Sequence, residues 1–75
     1  MREGLRAART ASGYSVTDIA RLLKVTPSVY YKWEEGTRDP MLGNAWRLSL
    51  LLCRSLEELF FTSKIDKKTN NKYKM

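Results

Sequence analysis

Residues 13–36 read GYSVTDIARLLKVTPSVYYKWEEG, and two helix starts placed close together inside this run decide the fold. Gly13 can take the left-handed conformation that ends a preceding helix. Ser15 is a good N-cap, Asp18 three positions later is its reciprocal partner in a capping box, and Tyr14 with Ile19 can form a hydrophobic staple. The helix opened there carries Ile19, Ala20 and Leu23 as its buried stripe and turns Arg21 and Lys24 outward. Thr26 followed by Pro27 opens the next helix, because proline's fixed φ and missing N–H suit the first helical position. Gly36 closes it, so the second helix covers Thr26 to Glu35, and only Lys24 and Val25 separate the two. Two short helices joined by such a tight turn have the geometry that lays the second one in the major groove of duplex DNA.

Working outward, the segment before Gly13 reads as a helix from about Arg2 to Ser12 that buries Leu5 and Ala8. Beyond Gly36, Thr37 to Pro40 reads as a polar loop ending in Asp-Pro. Met41 to Leu52 follows as a strongly apolar helix containing Trp46, Leu48, Leu51 and Leu52. Ser55 and Glu58 form a second capping box, which opens a short helix carrying Leu56, Leu59 and Phe60. Apolar residues recur at three- and four-residue spacing and nowhere alternate cleanly, so the expected class is all-α. The expected organisation is one five-helix domain over residues 1–62 and a basic, disordered tail over residues 63–75.

A chain of 75 residues has room for one core, and its 43% apolar content is enough to build it. Histidine is absent, Cys53 is the one cysteine, and no glycine-rich phosphate loop is present; these observations argue against an enzyme, a metal site, a cofactor or a small-molecule substrate. With no internal disulfide possible, no signal-peptide pattern at Met1 to Arg9 and no run long enough to span a membrane, the expected compartment is the cytoplasm. The net charge of +6 points to a polyanion, most often nucleic acid. That charge is unevenly placed: nine basic side chains oppose seven acidic ones from Met1 to Phe60, whereas five lysines oppose Asp66 alone from Phe61 onward. The tail lysines Lys64, Lys67, Lys68, Lys72 and Lys74 are either a solubilising terminus or a salt-sensitive, sequence-blind phosphate contact.

Residues 13–40 resemble the Cro and phage-repressor family of helix-turn-helix regulators. The resemblance is carried by the capped helix pair, Trp33-Glu-Glu-Gly36, Arg38 and Pro40, and the Ser-Leu-Glu-Glu-Leu-Phe run that ends at Phe60. It extends from Leu5 to Phe60 and implies a compact, lambda-repressor-like DNA-binding domain that inserts its third helix into the major groove. Its implied activity is sequence-specific binding of double-stranded DNA as a transcriptional regulator, by family habit a repressor. An arginine late in the first helix pairs in that family with a glutamate near the end of the third, which implies a structural ion pair between Arg9 and Glu34.

The same resemblance implies base contacts from the opening turns of the third helix: Pro27, Ser28, Val29, Tyr31 and Lys32. Lysine can donate to guanine O6 and N7, serine can serve any base, and Pro27 and Val29 offer apolar contact such as to a thymine methyl; Val29 could equally be a surface residue. Phosphate contacts are implied for Thr26, for Arg38 and, at the start of the second helix, for Ser15 and Thr17. There the family often has glutamine, and this chain has Val16. Two further departures are Lys24, where a turn glycine is common, and Cys53-Arg54, where Gly-Val is common; Lys24 is expected to take positive φ at some strain. Tyr30 is expected in the core. Leu50 and Phe61 either form a homodimer patch or cover the edge of the core. The competing function is a protein-interaction module, antitoxin-like or co-regulatory, that holds a hetero-partner through that surface.

Overall fold

The computed structural model describes residues 2–61, and three of its five helices begin at the capping residues Ser15, Thr26 and Ser55. The expected tail over residues 63–75, with its five lysines, lies outside the described residues. Helix α1 spans Glu3–Ala11, α2 Val16–Leu23, α3 Pro27–Glu35, α4 Leu42–Leu52 and α5 Leu56–Phe60, with no strand among the described residues. Ser15 Oγ accepts from the Asp18 amide at 3.0 Å while Asp18 accepts from the Ser15 amide at 3.4 Å. Thr26 Oγ1 accepts from the Val29 amide at 3.2 Å, and Ser55 with Glu58 closes the second box at 3.1 and 3.0 Å. Each of these bonds satisfies an amide that the first turn of a helix leaves without a backbone partner.

Four boundaries lie one residue inside the sequence reading: α1 starts after Arg2 and ends before Ser12, α3 starts after Thr26, and α4 starts after Met41. Arg2 and Met41 are extended residues preceding α1 and α4 rather than members of them, and neither offers a side-chain cap. Arg2 is held out of α1 because its backbone amide donates to the Glu34 carbonyl at 2.6 Å.

The core joins all five helices: Leu5 and Ala8 of α1; Ile19, Ala20 and Leu23 of α2; Tyr30 and Trp33 of α3; Leu48 and Leu52 of α4; and Leu59 of α5. Tyr30 and Trp33 meet edge to face, with ring centroids 5.7 Å apart. Helix α2 packs on α3, α1 lies against both α3 and α5, and α4 packs on α5. This order leaves the α2–α3 pair and the α4 helix at opposite ends of the packing chain. Apolar composition does not translate into burial in α4, where Trp46 is 56% exposed. Its inward residues are Ala45, Leu48 and Leu52, which share one stripe.

Both family glycine positions that this chain fills with other residues keep the left-handed backbone. Lys24, the C-cap of α2, has φ 60° and ψ 41°, and Cys53, the C-cap of α4, has φ 54° and ψ 44°. In each case the helix ends because the next helix must start at once in a new direction, and a residue with a Cβ carries the strain. Cys53 is exposed, so its side chain adds little that glycine would lose. Cys53→Gly is therefore expected to raise unfolding free energy by about 0.5 to 1 kcal/mol. Urea denaturation should show a higher midpoint at an unchanged slope.

Candidate nucleic-acid interface

The inward side of α3 fixes what its outward side can present. Tyr30, Trp33 and Glu34 are buried, and Glu34 is a carboxylate with only 1% of its side chain exposed. Arg9 Nε donates to Glu34 Oε2 at 2.5 Å and Arg9 Nη2 to Oε1 at 3.4 Å. Tyr30 Oη donates to the same Oε2 at 2.7 Å, and Arg9 Nη1 donates to the Tyr14 carbonyl at 2.9 Å. The bond to Glu34 holds the Arg9 guanidinium above its ordinary pKa. Burial, reinforced by the bond to Glu34, pushes the Tyr30 phenol well above its ordinary 10.0. Among the described residues no buried side-chain nitrogen or oxygen lacks a partner.

With that side turned in, the helical period of 100° per residue carries Ser28, Tyr31, Lys32 and Glu35 outward, and all four are exposed. Pro27 and Thr26 are exposed at the helix start. Val29 is half-buried and packed against the core, one turn before Trp33 on the inward flank, and keeps part of its side chain exposed beside Ser28. Of the chain's four tyrosines, Tyr30 is fully buried whereas its neighbour Tyr31 is 45% exposed, so adjacent identical residues have opposite roles.

Ser15, Thr17 and Arg38 are also exposed, at the start of α2 and in the loop after α3. The Ser15 and Thr26 hydroxyls each accept a capping bond, which leaves their hydrogens free to donate to an anionic oxygen. Asp18 places a negative charge beside Ser15, and Arg21 approaches it at 3.7 Å on the exposed side of α2. An exposed pair of this kind contributes little to stability, but it tempers the field at that helix start. The loop carrying Arg38 is folded back on α3: the Lys32 carbonyl accepts from the amides of Gly36, Thr37 and Arg38 at 3.0, 3.1 and 3.3 Å.

Sequence reasoning missed Arg2. Its guanidinium donates through Nη1 to the Trp33 carbonyl at 2.8 Å and to the Arg38 carbonyl at 3.2 Å, and it pairs with Asp39. Its Cζ also sits 5.2 Å from the centre of the Phe60 ring. One cation near the N-terminus thus ties the end of α3, the Arg38 loop and α5 together, favourably placed at the negative end of the α3 dipole. The hydrogen-bond partners of its side chain are 31 to 37 residues away, and Phe60 lies farther still, beyond any local pattern.

A family model described as helix-turn-helix matches residues 5–59, which takes in every contact from Arg9 to Leu59 described above. Neither a curated protein nor a solved structure matches the chain.

The buried trio yields a pH test. Tyr30 keeps its proton in the folded state beyond the point at which an unfolded tyrosine loses it, so its contribution is complete below pH 10 and is lost as the pH climbs higher. Unfolding free energy from urea titrations should be level between neutral pH and about pH 9 and fall above about pH 10. Tyr30→Phe should cost about 1 to 3 kcal/mol at neutral pH by removing a donor from a buried carboxylate. The same substitution should flatten the alkaline fall; an undiminished fall would assign it to other groups.

Proposed function

We propose, from the premise that this chain belongs to the Cro and phage-repressor family of helix-turn-helix DNA-binding regulators, that it reads a specific duplex sequence by inserting α3 into the major groove. The family is one of DNA-binding regulators rather than of enzymes. The observation that carries the finer reading is the split of α3 into a buried face of Tyr30, Trp33 and Glu34 and an exposed face of Ser28, Tyr31 and Lys32. Rigid backing on one side and short or donating side chains on the other are what groove readout requires.

In this reading Lys32 donates to guanine O6 and N7, Ser28 bonds a base edge, and Pro27 and Tyr31 line the contact. Thr26, Ser15, Thr17 and Arg38 bond phosphates and fix the register of the protein on the duplex. Val29 packs partly against the core, and its exposed part offers apolar contact such as to a thymine methyl. Arg9 and Glu34 act as a structural brace for α3. Repression is the simpler regulatory outcome, since a protein seated across a promoter needs only its DNA contacts to exclude polymerase. A homodimer would place two copies of α3 on successive turns of the same groove face, as paired half-sites demand.

Selection from random duplexes at a fixed salt concentration tests this reading directly: a defined, two-fold related motif is expected, and a pool with no enriched sequence would refute it. Lys32→Ala should cost about 1 to 3 kcal/mol at the selected site and relax preference at a single base position. Arg38→Ala should weaken all duplexes alike and lower the salt slope by about one. Fluorescence anisotropy across a salt series separates the two behaviours.

A further inference from the structure

Arg38 and Asp39 stand side by side in the loop after α3, and both are exposed. Opposite charges on adjacent exposed residues attract, and a pair between these two would leave the loop with no net charge to offer a phosphate. Asp39 pairs with Arg2 instead, and among the described residues Arg38 belongs to no ion pair. Arg2 is the fixed member of its pair, with 19% of its side chain exposed against 80% for Asp39. Its Nη1 donates to the Trp33 carbonyl at 2.8 Å and to the Arg38 carbonyl at 3.2 Å, and its own amide donates to the Glu34 carbonyl at 2.6 Å. Its Cζ also lies 5.2 Å from the centre of the Phe60 ring.

We propose that Arg2 is a positioning residue for DNA binding, which holds the Asp39 carboxylate away from Arg38 and so keeps the Arg38 guanidinium available to a backbone phosphate. The inference rests on the reading above that gives Arg38 a phosphate contact, and it names the residue on which that contact depends. The shape of the guanidinium carries it. One planar fork engages the carbonyl of Arg38 and the carboxylate of the next residue at once, so a single group sets both the path of the loop and the direction of the Asp39 side chain. The amide of Arg38 is tied on the other side, to the Lys32 carbonyl at 3.3 Å. The backbone of Arg38 is thus held at both of its polar groups, and its side chain alone is left to reach outward.

A surface pair between two mobile side chains would hold Asp39 only weakly. Here Arg2 is already fixed by its carbonyl and ring contacts, so Asp39 alone gives up freedom when the pair forms. The pair also borders an open groove of about 360 Å³ whose walls include Leu42, Phe60 and Phe61, and these apolar neighbours limit the water that competes for it. With Asp39 satisfied, the loop presents the full charge of Arg38. Without Arg2, the carboxylate beside Arg38 competes with the phosphate for the same guanidinium. Counterion release makes that competition readable, because each phosphate neutralised steepens the fall of affinity with salt by about one in the logarithmic slope.

Fluorescence anisotropy of the full chain with a labelled duplex of mixed sequence, across a salt series, tests this at a temperature where circular dichroism shows each protein folded. Arg2→Ala should weaken binding about tenfold and lower the salt slope by about one. Arg2→Gln, which can still donate to the Trp33 carbonyl but carries no charge for Asp39, should show the same fall and stands in should the alanine variant not fold. Asp39→Asn alone should change little, since Arg2 already holds that carboxylate. In the Arg2→Ala background, Asp39→Asn should restore slope and affinity to within about twofold of the wild type. A loss caused by destabilisation alone would not be restored in this way. In an Arg38→Ala background, Arg2→Ala should cost nothing further. The proposal is overturned by an unchanged slope in both Arg2 variants, by no restoration through Asp39→Asn, or by additive losses at Arg2 and Arg38. It is also overturned if Asp39→Asn alone tightens binding as much as it does beside Arg2→Ala, which would mark a general effect of net charge. Arg38→Ala is the reference: if it leaves the wild-type slope unchanged, the phosphate reading of Arg38 fails and this proposal with it. A normal Arg38→Ala effect beside inert Arg2 variants defeats the role of Arg2 alone.

Discussion

A single buried carboxylate governs how this small domain presents itself. Glu34 cannot sit in an apolar interior as a lone charge, since the penalty for an unpaired ion there runs to several kcal/mol even after relaxation. It is met by Arg9 from α1 and by Tyr30 one turn earlier on its own helix. Arg9 in turn reaches the Tyr14 carbonyl just ahead of α2. Three successive elements are thereby fixed to one point. The rotation of α3 about its axis follows, because Glu34 can keep both partners only if Tyr30 and Trp33 also face inward. What remains outward, Ser28, Tyr31, Lys32 and Glu35, is thus set from the core rather than from the surface.

Features written in a few consecutive residues were legible from the sequence, and features made by distant residues were not. Ser15 with Asp18, Thr26 with Pro27, and Ser55 with Glu58 each satisfy amides within one turn, so their positions locate α2, α3 and α5 without knowledge of the tertiary fold. Arg2 has no such local counterpart, and its bonds to Trp33, Arg38 and Asp39 exist only once the chain has folded. The exposure of Trp46 was hidden for a related reason. A helix apolar on most sides does not declare which side meets its own core, and only the docking of α4 on α5 decides. Val29 shows the same limit within the candidate site, where one step around α3 separates a core flank from a groove-facing position. The left-handed turn at Lys24 was legible by position rather than by residue type, and Cys53 takes the same backbone at the end of α4 without a signal read from the sequence.

Charge plays a smaller part in the body of the domain than its overall composition suggests. Much of the positive excess belongs to residues after Phe60, while the α2–α3 unit carries Asp18, Glu34 and Glu35 alongside its basic residues. Of these acids Glu34 is neutralised internally by Arg9, and Asp18 is partly offset by Arg21. Near α3 the exposed cations Lys24, Lys32 and Arg38 stand around the helix and its following loop, with Glu35 and Asp39 exposed among them. A domain of this kind gains its preference for a duplex from where a few donors stand, and a non-specific electrostatic contribution is better supplied by a separate basic stretch.

The same economy bears on stability and on the surface of α4. A core of ten buried side chains among the described residues is small, and domains of this size are often marginal unless something beyond the core supports them. Arg2 supplies one such support by fastening α3 and its loop to α5 through the Phe60 ring. Because Arg2 also lines the groove that contains Leu42, Phe60 and Phe61, the apolar face and the end of α3 are joined by one side chain. Anything seated in that groove would bear on the residue that also holds the Trp33 and Arg38 carbonyls. Structure that lends a small core its missing support is placed where it also steadies the end of α3 and the loop that follows it.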